Sequence, residues 1–150
     1  MSILVYIESN KNEIKKSSFE SLSYAKKLSK LISSDVIALT INCSEFTSLS
    51  EFGPDNIISI KDKKLELFNA HNYADVISNV SKSVSAKNII ISDSINCKYL
   101  ASLLSVKLNA AFVSNVVSIP NSTKPFIVKR STFSNKAFCE IEINSEIKIL

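Results

Sequence analysis

Residue types that carry acid–base or nucleophilic chemistry are few and widely spaced in this 150-residue sequence. The one histidine, His71, has no cysteine or carboxylate at a triad-like offset, so we expect a surface or capping role for it. The cysteines Cys43, Cys97 and Cys139 form no C-x-x-C pair, which argues against a zinc site, and their odd number argues against a secreted disulfide framework. The sequence predicts buried, reduced thiols and offers no catalytic, cofactor-binding or metal-binding set of residues.

Three carboxylates stand at positions where a functional role has to be weighed. Glu140 and Glu142 lie two residues apart on one face of a predicted strand, but the apolar residues beside them favour a solvated face over a catalytic pair. Asp93 follows another predicted strand, the position at which α/β folds place ligand contacts. Because acidic residues are common at helix entries, we expect that structural role for Asp93.

Arg130 is the one arginine, and the other 17 of the 18 basic residues are lysines. A single Arg amid lysines indicates a need for planar, bidentate hydrogen bonding, which an ammonium group does not provide. Its partner could be a carboxylate within the domain, a second protein chain or a bound cofactor. We expect the structural or the interface role.

Gly53 is the one glycine of the chain. Phosphate-binding loops depend on glycines, because a residue without Cβ takes positive φ freely and lets backbone N–H groups approach an anion. The sequence therefore predicts no glycine loop that could hold a nucleotide, even though its elements alternate as they do in nucleotide-binding folds.

Composition and charge narrow the class of protein. Apolar residues make up 45% of the chain, which is enough for a core, and 150 residues suit one domain. The net charge of +4 comes from scattered lysines, which argues against a nucleic-acid partner. No apolar run reaches the ~20 residues that span a bilayer, and the N-terminal MSILVYIESN lacks the basic start of a signal peptide. We expect a soluble, cytoplasmic protein without membrane insertion.

Short apolar runs alternate with amphipathic segments over the first 119 residues. The runs predict buried strands at 2–8, 35–41, 57–60, 88–92 and 112–119. Helix signals between them are a capping box at Ser17 and Glu20, a short helix at 47–52 before Gly53-Pro54, an N-cap at Asn69, another at Ser94 or Asn96, and a C-cap at Asn109.

The pattern changes after Pro120. A turn cluster at 121–125 leads into an extended stretch, a strand at about 136–143 in which Phe138, Ile141 and Ile143 loosely alternate, and a last strand at the terminus. Repeated β-α units followed by meandering strands predict a three-layer α/β fold. Its sheet is mainly parallel and flanked by helices, with antiparallel C-terminal strands.

Several segments, in order, resemble the N-terminal half of the electron transfer flavoprotein alpha subunit. They are SILVYIE, KKSSFESLSYAKKLSK, FGPDNIISI, FNAHNYADVIS, KYLASLLSVKLNAAFVSNVVSI and RSTFSNKAFCEIEINSEIKIL. The family's Arg-x-x-Tyr-x-Gly-x-Ala pattern stands here as Arg130, Phe133, Asn135 and Ala137. Asn135, like Asn109, replaces a family glycine with a residue that tolerates positive φ.

The resemblance implies an adenine nucleotide alpha hydrolase-like domain in a heterodimer with the family's beta subunit. The parent protein would carry electrons on FAD from dehydrogenases, such as acyl-CoA dehydrogenases of fatty acid β-oxidation, to the respiratory chain. Residues 1–150 would form one domain, an electron-carrier component and not an enzyme, that serves as scaffold and beta-subunit docking surface. FAD would be bound mainly by a C-terminal domain absent from this sequence, and no flavin contact of the family maps onto these residues. The chain could be a separate domain, a fragment or a shortened gene product.

Two other functions are alternatives to the scaffold role. A stand-alone adenine-nucleotide-binding module of the universal-stress type predicts a glycine-rich stretch after the fourth strand, where this chain has Ser92-Asp93-Ser94-Ile95-Asn96. A hydrolytic enzyme would need a Ser/His/Asp or Cys/His set, which the sequence does not provide. Both therefore rank below the scaffold role.

Overall fold

A six-stranded parallel sheet lies at the centre of the molecule. The computed structural model describes residues 2–150. The strands are β1 Ser2–Ile7, β2 Ser9–Asn10, β3 Glu13–Ile14, β4 Asp35–Ile41, β5 Asn56–Ile60, β6 Ala86–Ile90, β7 Ala111–Phe112, β8 Ser122–Thr123, β9 Phe126–Thr132, β10 Ala137–Glu142 and β11 Lys148–Ile149. The strand order in the large sheet is β5-β4-β1-β6-β11-β7, and every neighbouring pair is parallel.

Helices cover both faces of this sheet. They are α1 Lys16–Ile32, α2 Thr47–Glu51, α3 Ala70–Ser83 and α4 Ile95–Leu108, with a single 3₁₀ turn at Lys63–Leu65. Apolar side chains of α3 and α4 form one core with the sheet, and those of α1, α2 and the C-terminal strands form the other. The first strand is buried along its whole length because both of its faces are covered.

The C-terminal strands form a second, antiparallel sheet in the order β10-β9-β8. Its inner face contributes Phe126 and Val128 to the core below α1, and a bridge between Val116 and Arg130 ties it to the connection that leaves β7. The three-layer fold with a mainly parallel sheet and antiparallel C-terminal strands is therefore confirmed.

Local capping is mostly as the sequence predicts. Asn69 accepts hydrogen bonds from His71 N and Asn72 N at the start of α3, and Ser94, the first of the two alternatives, caps α4 by accepting from Cys97 N. Asn109 ends α4 with a left-handed φ of 48°. Gly53 follows α2 with φ of 62°, as a glycine after a helix end should.

The predicted capping box of α1 is wrong. The helix begins at Lys16, its N-cap is Lys15, and no side chain caps it. The reason is a tertiary contact. Lys15 N donates to Glu8 O, and the Ser18 hydroxyl also donates to Glu8 O, so the first turn is fixed against the end of β1.

Two strands in the C-terminal half of the chain also differ from the prediction. The strand at 112–119 stops at Phe112, because Asn115 takes a left-handed φ of 57° and the chain turns toward β9. The last strand joins the parallel sheet between β6 and β7 and is not part of the antiparallel meander. Phe138 faces solvent beside Glu140 and Glu142, whereas Ile141 packs on the core.

Candidate functional site

The carboxyl edge of the parallel sheet carries the candidate site. Chain order reverses between β1 and β6, because β4 and β5 extend the sheet from one side of β1 while β6, β11 and β7 extend it from the other. In open α/β sheets a crevice forms at such a reversal, and ligands bind there. The segments that follow β1 and β6 therefore form the place to look for a bound molecule.

A buried carboxylate, that of Glu8, lies at this switch point. Glu8 directly follows β1 and is only 4% exposed. Its Oε1 lies 2.7 Å from Lys15 Nζ, and its Oε2 accepts from the Ser92 hydroxyl at 3.4 Å and from the Cys97 thiol at 3.8 Å. The side chains that follow β1 and β6 thus bond to one another at the point where a ligand would enter.

The Cys97 thiol is held in this cluster in its neutral form. Burial raises the pKa of the Cys97 thiol, and the Glu8 carboxylate beside it raises it further, which outweighs the hydrogen bonds from Ser92 and Ser94. A nucleophilic cysteine needs the opposite shift, toward the thiolate. Within residues 2–150 the cluster also contains no histidine that could act as a base, so its geometry does not support nucleophilic catalysis.

The crevice residues do not fit a nucleotide. A phosphate group there would meet the buried Glu8 carboxylate, and like charges at close range repel strongly in a protein interior. The N-terminal N–H of Cys97 is already bonded to the Ser94 hydroxyl. Gly53 lies after α2 and not on either segment of the crevice. This edge of the sheet therefore presents no glycine loop against which a phosphate group could lie.

A cavity of about 360 Å³ lies beside this cluster, between α1, the end of β6 and the segment after β7. Its wall includes Tyr24, whose hydroxyl is buried without a hydrogen-bond partner among the described residues. Burial raises the pKa of Tyr24 to about 12. Asp93 and Lys98 stand at the cavity mouth as an ion pair of 3.0 Å. The wall is a mixture of small polar and apolar side chains and presents no convergent catalytic set.

The residues singled out from the sequence lie apart from one another. His71 is exposed in the first turn of α3, as expected, and Glu140 and Glu142 lie on a solvated face of β10. Asp93 precedes the Ser94 cap of α4 and is exposed. Cys43 and Cys97 are buried and free, but Cys139 is only half-buried, so the expectation of three buried thiols was wrong for that one.

Arg130 lies on the inner side of β9 and donates from Nη2 to the Ser114 hydroxyl at 3.2 Å. No carboxylate among residues 2–150 forms an ion pair with it. The sequence left three kinds of partner for Arg130: a carboxylate of its own domain, a second protein chain or a bound cofactor. The described residues do not provide the first of these. The guanidinium lines a second cavity, of about 570 Å³, between the β9–β10 turn and the start of α4.

Glu8 and Lys15 are the functional-site residues that sequence reasoning missed. In the sequence, Glu8 is the last residue of a predicted buried strand. A charged residue at that position was the feature that could have identified it as part of the site. A carboxylate at the end of a central parallel strand has to find a buried partner or a ligand. Lys15 follows a two-strand hairpin, β2–β3, whose tight turn at Lys11 and Asn12 was also not predicted.

Within residues 2–150, no three side chains of the His, Cys, Asp and Glu types are grouped closely enough to hold a metal ion. Over the same residues, none of the helices has the length and apolar character needed to cross a membrane.

Comparison with known proteins identifies a family over nearly the whole chain. The family described as electron transfer flavoprotein domain matches residues 3–150. The chain is also similar to electron transfer flavoprotein subunit alpha from Syntrophomonas wolfei subsp. wolfei (strain DSM 2245B / Goettingen), with 20% identity over 142 residues. That alignment covers 95% of this chain and 44% of the relative, so the chain spans less than half the length of the curated relative.

Two solved structures are similar at lower coverage. One is the universal stress protein from Archaeoglobus fulgidus in complex with dAMP, with a TM-score of 0.47, 13% identity and coverage of 71% of this chain and 90% of that chain. The other is a second structure of universal stress protein from Archaeoglobus fulgidus, with a TM-score of 0.45, 13% identity and coverage of 71% of this chain and 87% of that chain.

Proposed function

Because this chain belongs to the electron transfer flavoprotein domain family, we propose that it acts as the scaffold and docking domain of an alpha-type subunit. The parent protein carries electrons on FAD, and the redox chemistry belongs to the flavin. In this proposal residues 1–150 form a single domain, FAD is held mainly by a domain outside these residues, and this domain positions it against a beta subunit. The domain is an electron-carrier component and not an enzyme.

The hydrogen-bonded cluster around Glu8 at the switch point is the observation that carries the proposal. A nucleotide-binding member of this fold class needs an open switch point with glycines or other groups that accept phosphate. Here Glu8, Ser92 and Cys97 bond to one another at that point. This supports a domain that contributes shape and contact area, and it weighs against the alternative of a stand-alone adenine-nucleotide module.

An apolar line on α4 supports the docking role. Ile95, Tyr99 and Val106 are large, exposed and separated by four and seven residues, so they lie along one side of the helix. The opposite side of α4 packs in the core through Leu100, Leu104 and Leu108. A helix that is apolar on both sides is typical of one that is buried on both sides in an assembly. We propose this line as the main contact with the beta subunit.

The electron donors and the acceptor follow from the family and not from the geometry. We propose flavoprotein dehydrogenases, such as acyl-CoA dehydrogenases of fatty acid β-oxidation, as donors and the respiratory chain as the destination. The cytoplasmic location expected from the sequence stays a prediction.

Two measurements test the proposed function. Co-expressed with a beta subunit of the family, the tagged chain should retain that subunit through affinity purification, and Tyr99→Ser or Val106→Ser should weaken retention. Leu67→Ser is the matched control, since Leu67 is equally exposed but lies in the loop before α3. Failure of the unaltered chain to retain the beta subunit would overturn the docking role.

The second measurement concerns the cofactor. The purified chain should show no flavin absorption at ~450 nm and no tight uptake of FAD, AMP or ATP in calorimetry. Stoichiometric uptake of any of the three would refute the scaffold role and favour the nucleotide-binding alternative.

A further inference from the structure

Arg130 is a cation whose hydrogen-bonding capacity is mostly unused by its own domain. A guanidinium has five N–H donors in a fixed plane. Among the described residues one of them bonds, to the neutral Ser114 hydroxyl, and the Nε atom is buried with no partner. A buried donor without an acceptor is unfavourable, and it is more so when it is charged. An oxyanion that lies against the guanidinium would supply the acceptors that the domain itself does not.

The space for that oxyanion is the cleft of about 570 Å³ between the β9–β10 turn and the start of α4. Arg130 and Lys98 are the cations of its wall, and Asp93 is its one carboxylate. Asp93 is paired with Lys98, which leaves Arg130 as the unpaired charge. The cleft is therefore complementary to a single negative charge.

The rim of the cleft points to a protein as the source of that charge. Phe133 stands on the rim, is 85% exposed, and takes a left-handed φ of 50°. That conformation is unfavourable for a residue with a bulky side chain, and the exposed ring makes little contact that would compensate within the domain. Val117, half-exposed, stands on the rim as well. Interface hot spots commonly combine an arginine with aromatic and apolar side chains, as this cleft does. A small free anion would make no use of the aromatic rim.

We propose that this cleft binds an Asp or Glu side chain of the docked subunit, with Arg130 as the bidentate contact and Phe133 packed on the residues around it. The inference rests on the proposed function, because the partner is the subunit that this domain docks. It adds a second contact to the α4 line and assigns the one arginine of the chain to recognition and not to internal structure.

The first experiment uses the fact that the chain has a single arginine. In a ¹⁵N-labelled sample the Nε–H resonance of Arg130 is unique, so it reports the cleft directly. Added acetate should shift this resonance in a saturable way, beyond the shift that sodium chloride gives at equal ionic strength. Inorganic phosphate should shift it less at the same concentration. No shift beyond chloride, or a stronger response to phosphate, would overturn a carboxylate site.

The second experiment measures affinity for the beta subunit with variants of the chain. Arg130→Gln should weaken binding by at least about 30-fold, because a desolvated charge pair is lost, and Arg130→Lys should recover only part of that loss. Phe133→Ala should also weaken binding, and this variant keeps the fold because its side chain is exposed. Lys129→Gln is the matched control: it removes a positive charge from the adjacent residue, whose side chain faces Phe138 on the other side of β9.

The outcomes separate the two proposals. If the unaltered chain binds the beta subunit and neither Arg130→Gln nor Phe133→Ala weakens it more than Lys129→Gln does, the cleft is not a contact site and the docking role stands. If the unaltered chain does not bind, the proposed function fails and the cleft has no subunit partner. Loss of binding by both variants, with circular dichroism unchanged, supports the inference.

Discussion

Glu8 and Lys15 form an ion pair of 2.7 Å in which the carboxylate is buried and the ammonium reaches solvent. The Glu8 side chain is 6% exposed and that of Lys15 is 42% exposed. The pair joins the end of β1 to the start of α1, and a backbone hydrogen bond from Lys15 N to Glu8 O reinforces it. The cluster at the switch point therefore contains a buried charge whose counter-ion, Lys15, comes from the same chain.

Lys15→Met should lower the free energy of unfolding by about 1–3 kcal/mol, because it leaves the buried Glu8 carboxylate without its cation. The loss should be smaller than for a fully buried pair, since water reaches the ammonium group of Lys15. Glu8→Gln added to Lys15→Met should recover much of this loss, since the uncompensated carboxylate is then gone. Urea unfolding of the single and double variants measures both effects. Lys98→Met, in an exposed Lys–Asp pair, is the control and should change stability by less than about 1 kcal/mol. Equal effects at the two lysines would show that the Glu8 charge is not held by Lys15.

Tyr24→Phe should leave stability unchanged or raise it by about 1 kcal/mol, because it removes a buried hydroxyl with no partner in the described structure. Tyr73→Phe is the matched control. It should lower stability, since the Tyr73 hydroxyl donates a hydrogen bond to Leu65 O at 2.9 Å that the substitution removes. The stability of Tyr24→Phe relative to the wild type should increase in alkali. Burial raises the pKa of Tyr24 from 10.0 to about 12, so the unfolded chain loses this proton first and stability is lost as pH rises between those values. Thermal unfolding at pH 7 and pH 11 checks both statements.

The three thiols should react with iodoacetamide at very different rates. Cys139 is half-buried on β10 and should be modified first. Cys97 should react at least about tenfold more slowly, because it is buried and because burial raises the pKa of its thiol away from the reactive thiolate. Peptide mass spectrometry at pH 8 gives the order, and the same reaction in urea, where all three should react alike, is the control. Preferential labelling of Cys97 in the folded chain would contradict the neutral thiol described above.

Asp55 should make stability depend on pH in the acid range. Its Oδ2 accepts from Val36 N at 2.7 Å, and this hydrogen bond, helped by Lys26, lowers the pKa of the Asp55 carboxyl below its usual 3.8. The unfolded chain therefore takes up this proton first as pH falls, so the contribution is present above pH 3.8 and is lost on acidification. The Asp55 side chain is 45% exposed, which limits the contribution to less than about 1 kcal/mol. In urea unfolding, the difference in stability between the wild type and Asp55→Asn should shrink from pH 6 to pH 3. A difference that stays constant would show that the Asp55 carboxylate does not contribute to stability through its charge.

The fold could be predicted from the sequence because its signals are local. Buried strands are short apolar runs, and helix ends carry residues such as Asn69, Ser94 and Asn109 whose side chains or tolerated φ act within a few residues. The prediction failed where a distant contact decides the structure. The start of α1 is fixed by Glu8, and β11 enters the parallel sheet beside residues that are about 60 positions earlier in the chain.

The site was harder to predict than the fold for the same reason. Glu8 and Cys97 are 89 residues apart, and nothing local to either residue indicates that they meet. The isolation of Arg130 was visible as a composition anomaly, but only the structure shows that its own domain provides no carboxylate. Gly53, the one glycine of the chain, follows α2 and lies on neither segment of the switch point.

The left-handed cap at Asn109 gives a last test, in which one substitution has opposite effects at two sites. Asn109 takes φ of 48° at the end of α4, a conformation that is unfavourable for residues with a Cβ other than Asn and Asp. Asn109→Ala should therefore destabilise the chain by about 1 kcal/mol, whereas Asn109→Gly should not destabilise it. Asn79→Ala is the control: Asn79 is exposed within α3, where Ala is the better helix former, so stability should rise by up to about 0.7 kcal/mol. Urea unfolding of the three variants measures the changes, and equal effects of Ala at the two positions would show that the backbone at Asn109 is not left-handed in solution.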